Sequence, residues 1–408
     1  MAPETEPFAP EKGTTALLRV GDRLLQCRSR LGVDEELLRA SDELLKKARR
    51  VKGGEHPRTL TAMATRASLL HAAGQLEAAL ELYEECLAIR AQADPFGLET
   101  LTVRTDYALA LQDAHKLDAS AQQYEQVLRA HREQHNDYYV ERRLNAAIGL
   151  SQLRQEQGAV PQALELQREI VRDARRHWGE GQLRTLRQAN RLVSLLKTAG
   201  KKKESQQLAE ETARISMRHA PASEESFIAR NSWIHALLDQ EEYVQAATQA
   251  RALLTAMQEQ MPEEDPRIWT VRDDLANALA GLGRYADAER EFIAVLGLRE
   301  KALGRTHVST LISLNNLAWM LLQSGSSKSA ASRYAELMQR SNVAKLPPRV
   351  EATFGLNYGR ALLAAGRAKE ARIELERALA TLSQLPGTAE LVDKTQKALE
   401  KARQQDSR

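Results

Sequence analysis

The sequence predicts an all-α protein, an α-solenoid of about nine helix-turn-helix units closed by a C-terminal capping helix. Three observations predict it. Aromatic residues make up only 4% of the 408-residue chain, and Ala, Leu, Glu, Gln, Arg and Lys dominate. These are strong helix formers, whereas the β-branched and aromatic residues a large sheet needs are sparse. A turn residue recurs at Gly32, Gly74, His115, Gly158, Gly200, Glu241, Gly283, Gly325 and Gly366, at spacings of 42, 41, 43, 42, 41, 42, 42 and 41 residues. Five residues after each turn, from the second onward, stands a small side chain: Ala79, Ser120, Ala163, Ser205, Ala246, Ala288, Ala330 and Ala371. A small residue at one fixed offset marks a close helix crossing, because a ring or branch there would push the axes apart. An ordinary bundle has no need of that regularity.

Each unit reads as helix A, a turn, helix B and a connector. Glycine suits the left-handed backbone that ends a helix, so His115 and Glu241 cover the same turn less comfortably. Eight residues before the turns, helix A offers Tyr107, Leu150, Leu192, Trp233, Leu275, Leu317 and Tyr358 as core knobs, with Arg66 as the departure. Nine residues after them comes a looser position that favours rings: Tyr83, Tyr124, Gln167, Ala209, Ala250, Phe292, Tyr334 and Leu375. Connectors carry helix stops such as Asp94-Pro95, Gly179-Glu180-Gly181, Ala220-Pro221 and Leu346-Pro347-Pro348. Pro161 suits the first turn of helix B. Residues 1–13 form a tail, expected to be disordered, without the basic and apolar stretches of a signal peptide. The array spans 14–387, with a diverged capping repeat over 14–55, where Leu37 replaces the small residue, and regular repeats over 56–387. Residues 388–408 read as a charged helix that shields the last repeat, as solenoid ends require.

The pattern resembles the tetratricopeptide repeat, and its 42-residue period looks like the kinesin light chain variant. The run Leu298-Arg-Glu-Lys-Ala-Leu-Gly-Arg-Thr-His307, followed by Ser309-Thr310-Leu311 and Leu314-Asn-Asn-Leu-Ala318, is similar to that family's linker and following helix A. His56-Pro57-Arg58-Thr59-Leu60 repeats the linker, with fainter echoes at Thr100-Leu101 and Thr185-Leu186. The resemblance implies a right-handed superhelix whose inner wall is helix A, forming a groove for an extended peptide or a partner's helix.

In such families the groove-facing residues lie ten and six positions before the turn. The ten-before set is Ala64, Thr105, Ile148, Asn190, Asn231, Asp273, Asn315 and Leu356, and the six-before set includes Ser68, Leu109, Ser194, His235, Asn277, Trp319 and Arg360. Asn190, Asn231, Asp273, Asn277 and Asn315 form a polar ladder. A carboxamide both donates and accepts, so it can pair with a peptide backbone whatever the side chains. Such a ladder either clamps backbone, as the resemblance implies, or is solvated or ties one helix A to the next. Asn316 and Asn357, one position on, suit packing instead. Trp319 is either an anchor for an apolar ligand side chain or packs on the adjacent repeat. His235 either reaches ligand or merely points into the channel.

Charge is segregated although the net is only +3. Residues 168–203 carry a net of +8, and residues 224–274 a net of −7. Arg187 and Lys197, on helix A beside Asn190 and Ser194, are the candidates for an acidic residue or C-terminal carboxylate of the partner. The alternative is that repeats five and six meet through complementary charge.

Phosphate-binding loops, nucleophile elbows and metal-ligand clusters are missing from the sequence. His131 and His135 are four apart, but they lack the His-Glu-x-x-His pattern of a zinc helix, and Glu133 between them points elsewhere. Cys27 and Cys86 sit in helical apolar patterns and read as buried thiols. The reading is therefore a non-catalytic, cytoplasmic scaffold with a protein or peptide partner. It has no cofactor, no nucleic acid and no membrane insertion. The alternative is a sensory or regulatory repeat protein, of the peptide-pheromone or signalling kind, whose superhelix changes shape on ligand binding.

Overall fold

The computed structural model describes residues 33–130 and 137–406. The tail, helix A of the first unit with Gly32 and Cys27, and His131 and His135 lie outside the described residues. Every described element is an α-helix. The chain divides into two compact units, residues 1–201 and 202–408.

In the first unit, α1 (Glu35–Lys52) precedes three hairpins. These are α2 (Pro57–Ala72) with α3 (Leu76–Ala93), α4 (Leu98–Asp113) with α5 (Leu117–Ala130), and α6 (Asp137–Glu156) with α7 (Val160–His177). α8 (Leu183–Thr198) ends the unit. The second unit starts with α9 (Lys202–His219). Four hairpins follow: α10 (Glu224–Asp239) with α11 (Tyr243–Gln258), α12 (Pro266–Gly281) with α13 (Tyr285–Leu303), α14 (Val308–Gln323) with α15 (Ser327–Ala344), and α16 (Pro348–Ala364) with α17 (Ala368–Leu382). α18 (Ala389–Asp406) packs on α17 through Thr395, Ala398, Leu399 and Ala402. Within each unit every helix packs on its sequence neighbours, and α2, α4 and α6, like α10, α12, α14 and α16, pack successively on one another.

The turns follow from local chemistry. After helix A the backbone turns left-handed and two crossed hydrogen bonds close the end. At Gly74 (φ 75°) its own N–H donates to the His71 carbonyl at 2.9 Å, and Gln75 N–H donates to the Leu70 carbonyl at 2.9 Å. This is the Schellman arrangement, which satisfies carbonyls a bare helix end would leave unpaired. The same bond pair recurs at the seven other described turns. His115 (φ 56°) and Glu241 (φ 62°) adopt the left-handed conformation despite their side chains, so the repeat imposes its turn even where the residue resists it.

The small residues five positions on are all buried, with Ala79, Ser120, Ala163, Ala246, Ala288, Ala330 and Ala371 at zero exposure. Ser120 carries a hydroxyl into this crossing only because it donates to the Ala108 carbonyl at 2.7 Å. The ring-favouring position is buried in every repeat. Gln167 stands there without a ring. Its Nε2 donates to the Gln188 carbonyl at 3.0 Å, and Ser151 Oγ donates to its Oε1 at 3.3 Å, so the polar group is satisfied inside the core. Arg66, the departure from the apolar knobs, reaches α1, where its Nη1 donates to the Leu38 carbonyl at 2.9 Å and its Nη2 sits 3.2 Å from Asp42.

Helix starts are equally local. The imidazoles of His56 and His307 accept from Arg58 and Ser309 N–H at 3.2 Å each, and Asp265 Oδ1 accepts from Arg267 N–H at 2.9 Å. Pro57, Pro266 and Pro348 occupy first-turn positions, where no N–H is needed. The linker threonines Thr59, Thr100, Thr185 and Thr310 are all buried. Cys86 is fully buried, its thiol donates to the Leu60 carbonyl at 3.3 Å, and burial pushes its pKa up. That chemistry makes it a structural thiol and a poor nucleophile.

Candidate functional site

In the first unit, Ala64 and Ser68 line an open cleft of about 340 Å³ between α2 and α4, together with Thr61, Thr65, Thr102 and Asp106 and with Arg142 from α6. The cleft is thus lined by hydroxyls, by the carboxylates of Glu99 and Asp106, by the guanidinium groups of Arg90 and Arg142, and by Leu69, Leu98 and Val103. Burial pushes Asp106 up to about 6, against the opposing pull of Arg142 and His71. Asp106 lies nine positions before its turn, an offset that the sequence reading considered only at Asn316 and Asn357 and left to packing. The signal was available, since Arg191, Asp274, Asn316 and Asn357 share that offset.

On α8, Arg187, Ser194 and Lys197 are exposed and Asn190 is half-buried. Arg191, next to them, is pulled down by burial and by the Arg187 charge. The structure therefore gathers three guanidinium groups, those of Arg184, Arg187 and Arg191, and the Lys197 ammonium group on this single helix.

In the second unit the ladder divides. Asn231 on α10 is half-buried, and its Oδ1 is buried without a hydrogen-bond donor. Asn277 on α12 is exposed. Trp319 on α14 is half-buried, and the Arg360 guanidinium from α16 stacks 4.6 Å from its ring centroid. An exposed cation–π contact of this kind contributes about 0.5–1 kcal/mol and holds the indole in one orientation.

The other members turn inward. Asp273 is 8% exposed, and Arg299 from α13 donates to its Oδ2 at 2.6 Å. Arg299 also bonds Ser313 on α14. Burial pushes the Asp273 carboxyl up while Arg299 pulls it down. Asp273 is thus part of a buried bridge across α12, α13 and α14, not a group presented to solvent as the offset implied. Asn315 is occupied as well. Its Nδ2 donates to Asn316 Oδ1 at 3.3 Å, and its Oδ1 accepts from Asn357 Nδ2 at 3.1 Å, one repeat further on. His235 Nε2 lies 3.4 Å from Asp274 Oδ2 on the next helix A. These three sites tie neighbouring hairpins together, and Asn357 takes the packing role its offset suggested.

Hairpins of one design, joined through small residues and left-handed turns, define a helical-hairpin repeat protein. The family model described as tetratricopeptide repeat matches residues 24–92 and 266–341, so those two segments carry that repeat. Among curated proteins, none matches the sequence. Among solved structures, a tetratricopeptide repeat protein from Parabacteroides merdae is similar over 74% of this chain and 98% of its own, at 12% identity and a TM-score of 0.54. That likeness concerns the fold. Kinesin light chain-like proteins are also among the neighbours. One from Podosopora anserina with nearly identical TPR-like repeats has 22% identity, covers 50% of this chain and 96% of its own, and has a TM-score of 0.45. BtubC (BKLC) from P. vanneervenii has 17% identity, covers 56% and 93%, and has a TM-score of 0.47.

Proposed function

We propose that the chain is a non-catalytic protein-interaction scaffold that holds an extended segment or a helix of a partner protein against helix A of successive repeats. One observation carries this reading. In α10, α12 and α14 Asn231, ten before its turn, and Asn277 and Trp319, six before theirs, are exposed in whole or in part, while their polar neighbours Asp273 and Asn315 are engaged within the protein. An exposed carboxamide, as at Asn277, suits the backbone N–H and carbonyl of a bound segment. A half-buried indole fixed by Arg360 suits an apolar side chain. Arg187 and Lys197 on α8 suit an acidic residue or C-terminal carboxylate of the partner. No described helix is long and apolar enough to cross a membrane.

The test starts from a partner identified by affinity purification and mapped to a binding segment, titrated calorimetrically. Replacing Asn231 and Asn277 together by alanine weakens that segment at least tenfold while the thermal unfolding midpoint stays within a few degrees of wild type. Binding at wild-type strength in the double variant, and in Trp319→Ala, removes the helix-A face as the binding surface.

A further inference from the structure

Comparison of the repeats with one another exposes a second site, away from the helix-A residues just considered. Eleven residues before the turn, helix A carries Met63, Arg104, Ala147, Ala189, Arg230, Arg272, Leu314 and, in the last repeat, Gly355. Eight residues after the turn, helix B carries Leu82, Gln123, Leu166, Leu208, Gln249, Glu291, Arg333 and Glu374. The two positions face each other across the hairpin. Arg104 Nη1 donates to Gln123 Oε1 at 2.7 Å, and Arg272 Nε lies 3.9 Å from Glu291 Oε2. Each helix-A arginine thus stands opposite a carboxamide or carboxylate, and each apolar residue but one stands opposite leucine.

The last repeat breaks this pairing in an informative way. Helix B supplies the carboxylate, Glu374, and helix A supplies no side chain at all. What remains is a cavity of about 190 Å³ bounded by α15, α16 and α17 and lined by Met338, Glu351, Ala352, Gly355, Glu374 and Arg377 among others. Glu374 Oε2 is buried there without a hydrogen-bond partner. Arg377, at the rim, is engaged by Glu351 at 2.9 Å. Two carboxylates and one guanidinium leave the cavity one negative charge in excess. A carboxylate oxygen shielded from water and left unpaired is unfavourable, so the site favours entry of a cation with N–H donors. A planar guanidinium fits best, because it offers paired donors to a carboxylate and tolerates desolvation better than an ammonium.

We propose that this cavity receives an arginine side chain from a partner protein, placing its guanidinium on Glu374 where the third and seventh repeats use their own Arg104 and Arg272. This goes beyond the scaffold reading, because it rests on helix-B residues and on a different face of the hairpin.

The full chain is titrated with N-acetyl-arginine amide and followed by amide chemical shifts of α15–α17. Lysine and citrulline amides and free L-arginine are the other arms. The arginine amide produces saturable shifts, the lysine amide binds more weakly, and uncharged citrulline does not saturate. Gly355→Met, which fills the space with the residue found at the same register position in the second repeat, abolishes the shifts. Room for it exists, since a Cβ at Gly355 meets Ala378 Cβ at 3.5 Å, an ordinary contact. Glu374→Gln weakens binding at least tenfold and decides the matter should the methionine variant fold poorly. Gly355→Arg supplies the guanidinium internally and raises the unfolding midpoint. Equal binding by wild type and Glu374→Gln, no saturable binding, or binding by citrulline as strong as by arginine overturns the site. Binding of free L-arginine but not of the blocked amide overturns its assignment to a protein side chain.

Discussion

Asp106 gives the sharpest quantitative expectation. Its carboxyl titrates at about 6, raised mainly by burial between α2 and α4, while an unfolded aspartate titrates near 3.8. The groups facing it are Arg142 on α6 and His71 on α2, which pull it down, and the phenols of Tyr83 and Tyr124, which Asp106 pushes up. Between pH 4 and pH 6 the folded chain keeps a proton that the unfolded chain has lost. Stability therefore falls as pH rises through this window, and the full penalty is present above about pH 6. A difference of about two pKa units corresponds to about 3 kcal/mol, an upper bound for a group that still touches the cleft. Asp106→Asn removes the charge but keeps a polar amide, so the net gain at pH 7.5 is about 1–2 kcal/mol. The cleaner quantity is the difference between variant and wild type at pH 7.5 minus the same difference at pH 4, where the amide's own contribution cancels. It is about 2–3 kcal/mol, in favour of the variant at the higher pH. Urea unfolding read by hydrogen exchange in α4 isolates the first unit, since repeat arrays need not unfold as one. A pH-independent difference, or one that favours wild type at pH 7.5, refutes the reasoning.

Two further expectations follow from the fold. His115→Gly and Glu241→Gly each raise stability by about 0.5 kcal/mol in thermal unfolding, because relief of the left-handed backbone outweighs glycine's extra chain entropy; destabilisation by either change contradicts the turn assignment. Asp273→Ala lowers stability by about 3 kcal/mol in urea unfolding, because it leaves Arg299 buried without its carboxylate, and adding Arg299→Met restores most of the loss. Simple additivity of the two changes speaks against a coupled pair.

The turns, the small crossing residues and the ring position were legible because the chain states them eight times over, and each obeys a local rule. His115 and Glu241 could be placed at turns only by register, since neither residue asks for a left-handed backbone. The candidate site was legible only in outline. The offset of Asp273 points to an open face, but its environment is decided by Arg299, 26 residues away on another helix, and no window around Asp273 announces that arginine. Asn315 and Asn357 stand 42 residues apart, one repeat length, so their bond is visible in the sequence once register is used to compare positions. Asp106 needed the burial of its cleft, which depends on the widths of α2 and α4 side chains together. Gly355 looked like an unremarkable helical glycine until its register partners were set beside it.

The division of the ladder has a physical basis. In a stacked array each hairpin meets only its neighbours, so a polar residue on helix A is engaged either by a helix of its own or a neighbouring hairpin, or by something outside. Apolar contacts alone leave the register of one helix on the next loosely specified, because small and aliphatic surfaces slide at little penalty. A hydrogen bond between Asn315 and Asn357, a contact between His235 and Asp274, or the bridge from Gln167 to Gln188 fixes the rise and rotation of that step, since a slip would bury an unpaired polar group. Residues that set register are thus withdrawn from recognition by the same bond that makes them useful. What recognition has left is whatever those bonds do not consume: the exposed part of Asn231, the Asn277 amide and the indole face of Trp319. Polar side chains at groove offsets are therefore candidates for a ligand only after the bonds between successive hairpins have been subtracted. By that subtraction the second unit presents a narrower and more directional surface than its three asparagines and one aspartate at groove offsets suggest.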